Sequence, residues 1–241
     1  MCSLSVLDAH TPVFPSTKNA LQDPNGLLAV GGNLQTDTLI AAYSKGIFPW
    51  YSEGQPILWW SPSPRMILQP EDFLWHRSLR KLARKQQYRI TVDTSFTQVM
   101  RECANAPRAG QSGTWINEAM LSAYTTLHHA GHAHSVEAWE GDRLAGGLYG
   151  VSLGKVFFGE SMFSHRSGAS KLAFGSLCAQ LTAWGYALID CQVYTEHLAS
   201  LGAYEIPRDE FEQRLAAGRT TVHTKDWRYA WSLGEYGSDG S

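Results

Sequence analysis

Two short segments carry acids where apolar side chains would be expected. Gly159-Glu-Ser-Met-Phe163 ends an apolar strand-like run with a carboxylate, and Ile189-Asp-Cys-Gln192 sets a carboxylate and an amide inside another. A carboxylate in such a setting either accepts hydrogen bonds within the core or orients a ligand and moves a proton. For one isolated acid the two readings carry equal weight; two on separate strands favour a site. Side chains alternate along a strand, so Asp190 and Gln192 are expected on one face, converging on one ligand, with Cys191 on the other. That parity, and the lack of any neighbour that would activate a thiolate, set aside a thiol nucleophile built from Cys191 and His197.

Other candidates weaken on inspection. His128 and His132 have the i, i+4 spacing of a helical metal pair, but Gly131 is placed to end the helix between them, so His128, His129, His132 and His134 read as capping and surface residues and no metal is expected. Gly146, Gly147, Gly150 and Gly154 do not spell a dinucleotide fingerprint and lie inside a run of strands. Trp50, Trp59, Trp60 and Trp115 suit plain core, or the wall of an apolar pocket. A helix expected from Asp72 to about Gln86 puts Arg77, Arg80, Lys81, Arg84 and Lys85 on one face with no interleaved acid, a stripe that repels itself unless a phosphate backbone lies against it.

The elements that must position these residues follow from periodicity and turn signals. A helix capped by Thr36 or Asp37 ends at Gly46, and Pro56 to Trp60 reads as a buried strand before the Ser61-Pro-Ser-Pro64 break. Strands are expected at 134–139, 144–152 and 155–163 as an antiparallel meander, then a helix from Ala169 to Trp184 and a strand from Tyr186 to Val193. This is an α+β chain, divided into a domain over 1–64, a second over 65–233 and a flexible tail over 234–241. Its 241 residues, 44% hydrophobic and 17% charged, exclude a largely disordered chain, and the net charge of -2 means that a nucleic acid would be held only by a local basic patch. Four scattered cysteines form no metal or disulfide pattern and read as reduced thiols. No membrane span or secretory signal is legible, so a cytoplasmic protein is expected, a monomer by default.

The motifs taken in order resemble the leucyl/phenylalanyl-tRNA-protein transferase family of bacteria: Pro24-Asn-Gly-Leu-Leu-Ala-Val-Gly-Gly32, Gly46-Ile-Phe-Pro-Trp50, Leu58-Trp-Trp-Ser-Pro62, Gly113-Thr-Trp-Ile116, Gly131-His-Ala-His-Ser135, Gly159-Glu-Ser-Met-Phe163, Ala169-Ser-Lys171, Ile189-Asp-Cys-Gln192 and the run from His197 to Arg208. The likeness covers roughly Phe14 to Arg208; Ser63 and Asn33 stand where the family usually has Asp, and Gly168 where Asn is common. It implies an N-terminal α/β domain joined to an acetyltransferase-like (GNAT) domain with a mostly antiparallel sheet. It further implies transfer of Leu or Phe, less well Met, from aminoacyl-tRNA to the α-amino group of proteins beginning with Arg or Lys, which marks them for the N-degron pathway, without CoA or another cofactor. On that reading Asp190 orients the amine and takes its proton, Gln192 holds the reacting groups and Glu160 completes the polar network. Trp50, Trp115 and Met162 line the aminoacyl pocket, and the Arg77 to Lys85 face holds tRNA phosphates. A CoA-dependent N-acetyltransferase and a non-catalytic tRNA-binding protein are the competing readings. Ser167-Gly-Ala-Ser170 is a poor phosphate loop for the first, and the paired polar groups on the Asp190 strand argue against the second.

Overall fold

The computed structural model describes residues 4–106, 114–221 and 227–230. The tail expected over 234–241 lies outside them. In the described residues the first strands, β1 (Ser5–Leu7), β2 (Leu27–Gly31), β3 (Phe48–Pro49) and β4 (Leu58–Trp60), make a four-stranded sheet in the order β1-β2-β4-β3. Helix α1 (Thr36–Tyr43) lies between β2 and β3, and Gly46 follows it at φ +70°. A Cβ at Gly46 would sit 2.6 Å from the Phe211 ring, so the turn needs glycine for both its backbone and its space.

A second, seven-stranded sheet runs β11-β5-β10-β9-β8-β7-β6, from β5 (Arg65–Leu68), β6 (Arg89–Val92), β7 (Ala133–Glu140), β8 (Arg143–Leu153), β9 (Val156–Ser164), β10 (Leu188–Gln192) and β11 (Tyr204–Ile206). Every neighbouring pair is antiparallel except β9 and β10. That parallel pair is joined by α5 (Ala169–Ala183), the strand-helix-strand crossover that a parallel pairing requires. Helix α5 lies close on the sheet because β8 offers glycine beneath it: a Cβ on Gly146 would meet the Ala169 Cβ at 2.8 Å. The meander and this crossover match the periodicity reading, and the chain is α+β.

The opposite face is covered by α1, α3 (Phe96–Asn105), α4 (Glu118–His129) and α7 (Arg208–Arg219), and one continuous core joins Leu28, Trp59 and Tyr43 of the first sheet region to Tyr124, Tyr149 and Phe158 of the second. Asn117 caps α4 through the Met120 N–H at 2.9 Å, and Gly131 ends it, as its sequence foretold. One boundary differs. The basic helix, α2 (Arg77–Arg84), starts five residues later than Asp72, because Phe73 and Trp75 turn inward to pack on one another and on α5 before the helix begins. Two short helices, α6 (Glu196–Ala199) and α8 (Trp227–Ala230), complete the described chain.

Candidate active site

β9 and β10 stay paired only as far as Phe158 and Asp190. Each strand is irregular just beyond. On β9, Ser161 pairs with Tyr149 and Gly159 with Gly150, leaving Glu160 as the extra residue; on β10, Gln192 pairs with Met66 and Asp190 with Ile67, leaving Cys191. Bulges of this kind re-aim side chains and bend a strand. Gln192 carries φ +66°, a left-handed backbone costing of order 1–3 kcal/mol for a side-chain-bearing residue, of the kind that clusters at functional sites. Between the separated strand ends opens a cavity of about 390 Å³, walled by Gly159, Glu160, Cys191 and Gln192.

Most of the rest of the wall is apolar, with Ser161, Thr195 and His197 as its further polar members. Trp50, Trp115 and Met162, the three pocket residues expected from sequence, all line it. Trp50 is 36% exposed at the mouth, 5.7 Å from the Trp60 ring. Leu148, Phe157, Phe174 and Ile189 line it as well; sequence reasoning missed them, because an apolar side chain in a buried strand or helix carries no mark that tells cavity wall from core.

The bulge overturns the expected parity. Asp190 does not line the cavity: it is wholly buried, its Oδ1 and Oδ2 accepting from Arg65 Nε at 2.8 Å and Nη2 at 2.6 Å. Cys191 and Gln192 both line it instead. The Arg65 guanidinium is sandwiched between the rings of Phe48 and Phe211, 4.9 and 4.5 Å away. A carboxylate locked in such a pair is committed to its partner, so the expectation that Asp190 takes a proton directly from a ligand amine is corrected by the geometry. What Asp190 does contribute is a third hydrogen bond, accepted from the Gln192 backbone N–H at 2.9 Å, which holds the left-handed turn in place.

Gln192 then reaches Glu160, its Nε2 donating to Oε1 at 3.0 Å. Glu160 Oε1 also accepts from the Tyr43 hydroxyl at 2.7 Å, and Oε2 lies 3.3 Å from that of Tyr124. Burial pushes the Glu160 carboxyl up to about 7, with the charge of Asp190 adding to the rise and the Tyr43 and Gln192 donors opposing it. Burial also raises the Cys191 thiol well above its usual value, reinforced by Asp190, so it stays a protonated, inert wall residue. Burial and Lys171 lower the His197 imidazole, which stands at the cavity wall near Glu196.

The five basic residues of the 77–85 stripe are all exposed, and none forms an ion pair among the described residues. Leu79 alone of this helix is buried, so the helix is anchored by one apolar side and offers the other to solvent. His134 and His128 both face Asp93, His134 Nδ1 at 2.7 Å, and no group of three or more His, Cys, Asp or Glu side chains among the described residues could hold a metal ion.

An apolar cavity with hydrogen-bonding side chains on one wall is the site of an enzyme that holds an apolar group beside a polar reacting centre. The chain's relatives give that class a sharper meaning. Residues 67–216 match the family model described as leucyl/phenylalanyl-tRNA protein transferase, and residues 32–63 match the model of that protein's N-terminal domain. The leucyl/phenylalanyl-tRNA--protein transferase of Saccharophagus degradans is 54% identical over 98% of this chain and 99% of its own. That of Nitrosospira multiformis is 60% identical over 84% and 87%. A solved structure, L-PGS from Bacillus licheniformis, overlays 71% of this chain and 57% of that one at a TM-score of 0.37 and 10% identity, too little to bear on fold or site. The chain belongs to the leucyl/phenylalanyl-tRNA--protein transferase family, and it is an aminoacyltransferase that moves aminoacyl groups from tRNA to proteins.

Proposed function

We propose that this enzyme transfers Leu or Phe, and less well Met, from tRNA to the α-amino group of proteins beginning with Arg or Lys, in the cytoplasm, as a monomer on a GNAT-like scaffold, and so marks them for N-degron degradation. The observation that carries the reading is the cavity itself: its volume and largely apolar wall suit a planar side chain or one unbranched at Cβ, and the polar pair Glu160 and Gln192 lies on the same wall. An Ile or Val side chain, branched at Cβ, would clash where Leu and Phe fit.

The ester of aminoacyl-tRNA is already activated, so the enzyme's task is to juxtapose ester and amine and to stabilise the tetrahedral oxyanion. The amine nitrogen attacks the ester carbon, the C–N bond forms, the bond to the ribose oxygen breaks, and one proton passes from nitrogen to that oxygen. An α-amino group with pKa of about 7.7–8 is partly neutral near physiological pH and needs only modest help to lose its proton. Gln192 is the residue that meets the reacting groups, Glu160 orients it, and Asp190 with Arg65 fixes the backbone from which it projects. The stripe from Arg77 to Lys85 lies against tRNA phosphates, with little base readout, so that the amino acid rather than the tRNA sequence decides selection.

The test is transfer of radiolabelled Leu from tRNA to a peptide beginning with Arg, beside one beginning with Ala and a Gln192→Ala control. Label on the Arg peptide alone, much reduced in the variant, supports the reading. Label on both peptides, or label left on tRNA, overturns the acceptor rule or the site.

A further inference from the structure

Helix α8 reaches the cavity from behind. Trp227, its first residue, is buried in the apolar layer between the seven-stranded sheet and α5. Its indole lies face to face with the His134 imidazole of β7, ring centres 3.9 Å apart and planes 5° from parallel, and meets the Trp184 ring edge-on at 5.2 Å. The indole N–H hydrogen-bonds the Tyr186 hydroxyl, which Ser152 Oγ also meets at 2.7 Å. The next residue fastens the helix to the body: Arg228 Nη2 donates to the Asp93 carbonyl oxygen at 2.5 Å, and the Asp93 carboxylate holds His134 Nδ1 at 2.7 Å. The indole is thus fixed by one face and by its polar edge.

A further neighbour of Trp227 belongs to the cavity. Phe157 lies 5.7 Å from the indole, ring centre to ring centre, at 32°. It also lines the cavity, and at 1% exposure it forms the floor rather than the mouth. Elsewhere the same ring is pressed onto β8, where a Cβ on Gly150 would sit 2.5 Å from its Cζ. Gly150 therefore stops the ring on one side and Trp227 on another. Protein interiors are close-packed, so a cavity wall keeps its place only while the atoms behind it keep theirs. The depth open to a side chain entering past Trp50 is set by two layers: Phe157, which it touches, and Trp227, which it does not.

We propose that Trp227 is a positioning residue that sets the depth of the cavity by backing Phe157, and so decides how large a side chain the site accepts; the inference rests on the reading of the cavity as the seat of the aminoacyl side chain. A smaller residue at position 227 leaves space behind the Phe157 ring, the ring falls back into it, and the floor recedes. Larger side chains gain contacts and Leu loses them. The discrimination at stake is that of an apolar pocket, where one methylene is worth about 10- to 200-fold.

The experiment compares transfer from Trp-tRNA with transfer from Leu-tRNA to one peptide beginning with Arg, as the ratio of the two kcat/KM values, in the full-length protein. A loss of folded enzyme lowers both values alike and leaves the ratio where it was. Trp227→Leu should raise the ratio about tenfold. Trp227→Phe, which keeps a ring and protects the fold, should raise it less. Leu215→Ala, equally buried but on the opposite face of the sheet, should not change it. Phe157→Ala removes the floor itself and should raise the ratio too. An unchanged or lower ratio in both Trp227 variants, beside a raised one in Phe157→Ala, would leave Trp227 a structural residue only and overturn the proposal. An unchanged ratio in Phe157→Ala as well would show that the cavity does not seat the aminoacyl side chain, and would overturn the proposed function of the site together with this inference.

Discussion

Arg65 and Asp190 neutralise one another in a place that water does not reach, and the consequences of separating them are steep. Removing one member leaves a buried charge unpaired, which costs about 3–5 kcal/mol, whereas replacing both with apolar residues of similar volume is often neutral. Asp190→Ala is therefore expected to lower the urea midpoint sharply, and Arg65→Met with Asp190→Leu to recover most of the stability. Activity should stay low in the double variant, because the Gln192 backbone N–H has lost its acceptor. Stability recovered together with full transfer would show that the pair has no part in holding Gln192. A second prediction concerns Ser63, whose hydroxyl lies a long 3.4 Å from the Arg208 backbone N–H, while the Arg208 Nε is buried with no hydrogen-bond partner among the described residues. Ser63→Asp should supply a charged acceptor at the start of α7 and stabilise the protein by about 1 kcal/mol, read as a melting temperature about 2–4 °C higher. The acids were legible in the sequence because charge inside an apolar run is conspicuous. Arg65 was not singled out, because its pairing across 125 residues has no local signature, and neither do the contacts of Tyr43 and Tyr124 with Glu160.

Among the elements, α2 makes the cleanest case for separable function. It is held by Leu79 and presents its cations outward, so charge reversal there should leave the fold intact. Arg80→Glu with Arg84→Glu is expected to weaken tRNA binding and to flatten its salt dependence by about one unit of log–log slope for each phosphate that is no longer neutralised, with kcat at saturating tRNA little changed. A large fall in kcat with unchanged affinity would assign the helix to the chemistry instead. The meander, the crossover through α5 and the ends of α4 could be read from period and turn residues, because those signals are local. The paired bulges at Glu160 and Cys191 could not. Alternation along a strand predicts side-chain direction only while register holds, and one extra residue in β10 removed Asp190 from the cavity and brought Cys191 to it. The late start of α2 has a similar origin: packing of Phe73 and Trp75 outweighed the helical tendency of the segment.

For the whole molecule, Glu160 links stability to pH. Its carboxyl titrates near 7 in the folded protein and near 4.5 in an unfolded chain, so between those values the folded state binds more protons. Stability is then fully present below about 4.5 as far as this group is concerned, and is lost as pH rises through 7. The total is about 3 kcal/mol. Glu160→Gln should remove that slope, so denaturant titrations of the two proteins at a series of pH values should converge in acid and diverge toward neutrality. Parallel curves would place the titration elsewhere.

The polar network around the cavity also has an order in time. Its members are drawn from α1, β5, α4, β9 and β10, and the hydrogen bonds that join them span 117 residues from Tyr43 to Glu160 and 125 from Arg65 to Asp190. A chain emerging from the ribosome thus carries the tyrosine and the arginine long before their carboxylates exist. Until residue 192 has been made and has cleared the exit tunnel there is no cavity wall and no oriented amide. Synthesis takes place amid abundant charged tRNA, and an enzyme assembled from both ends of its chain cannot draw on that supply before it is finished.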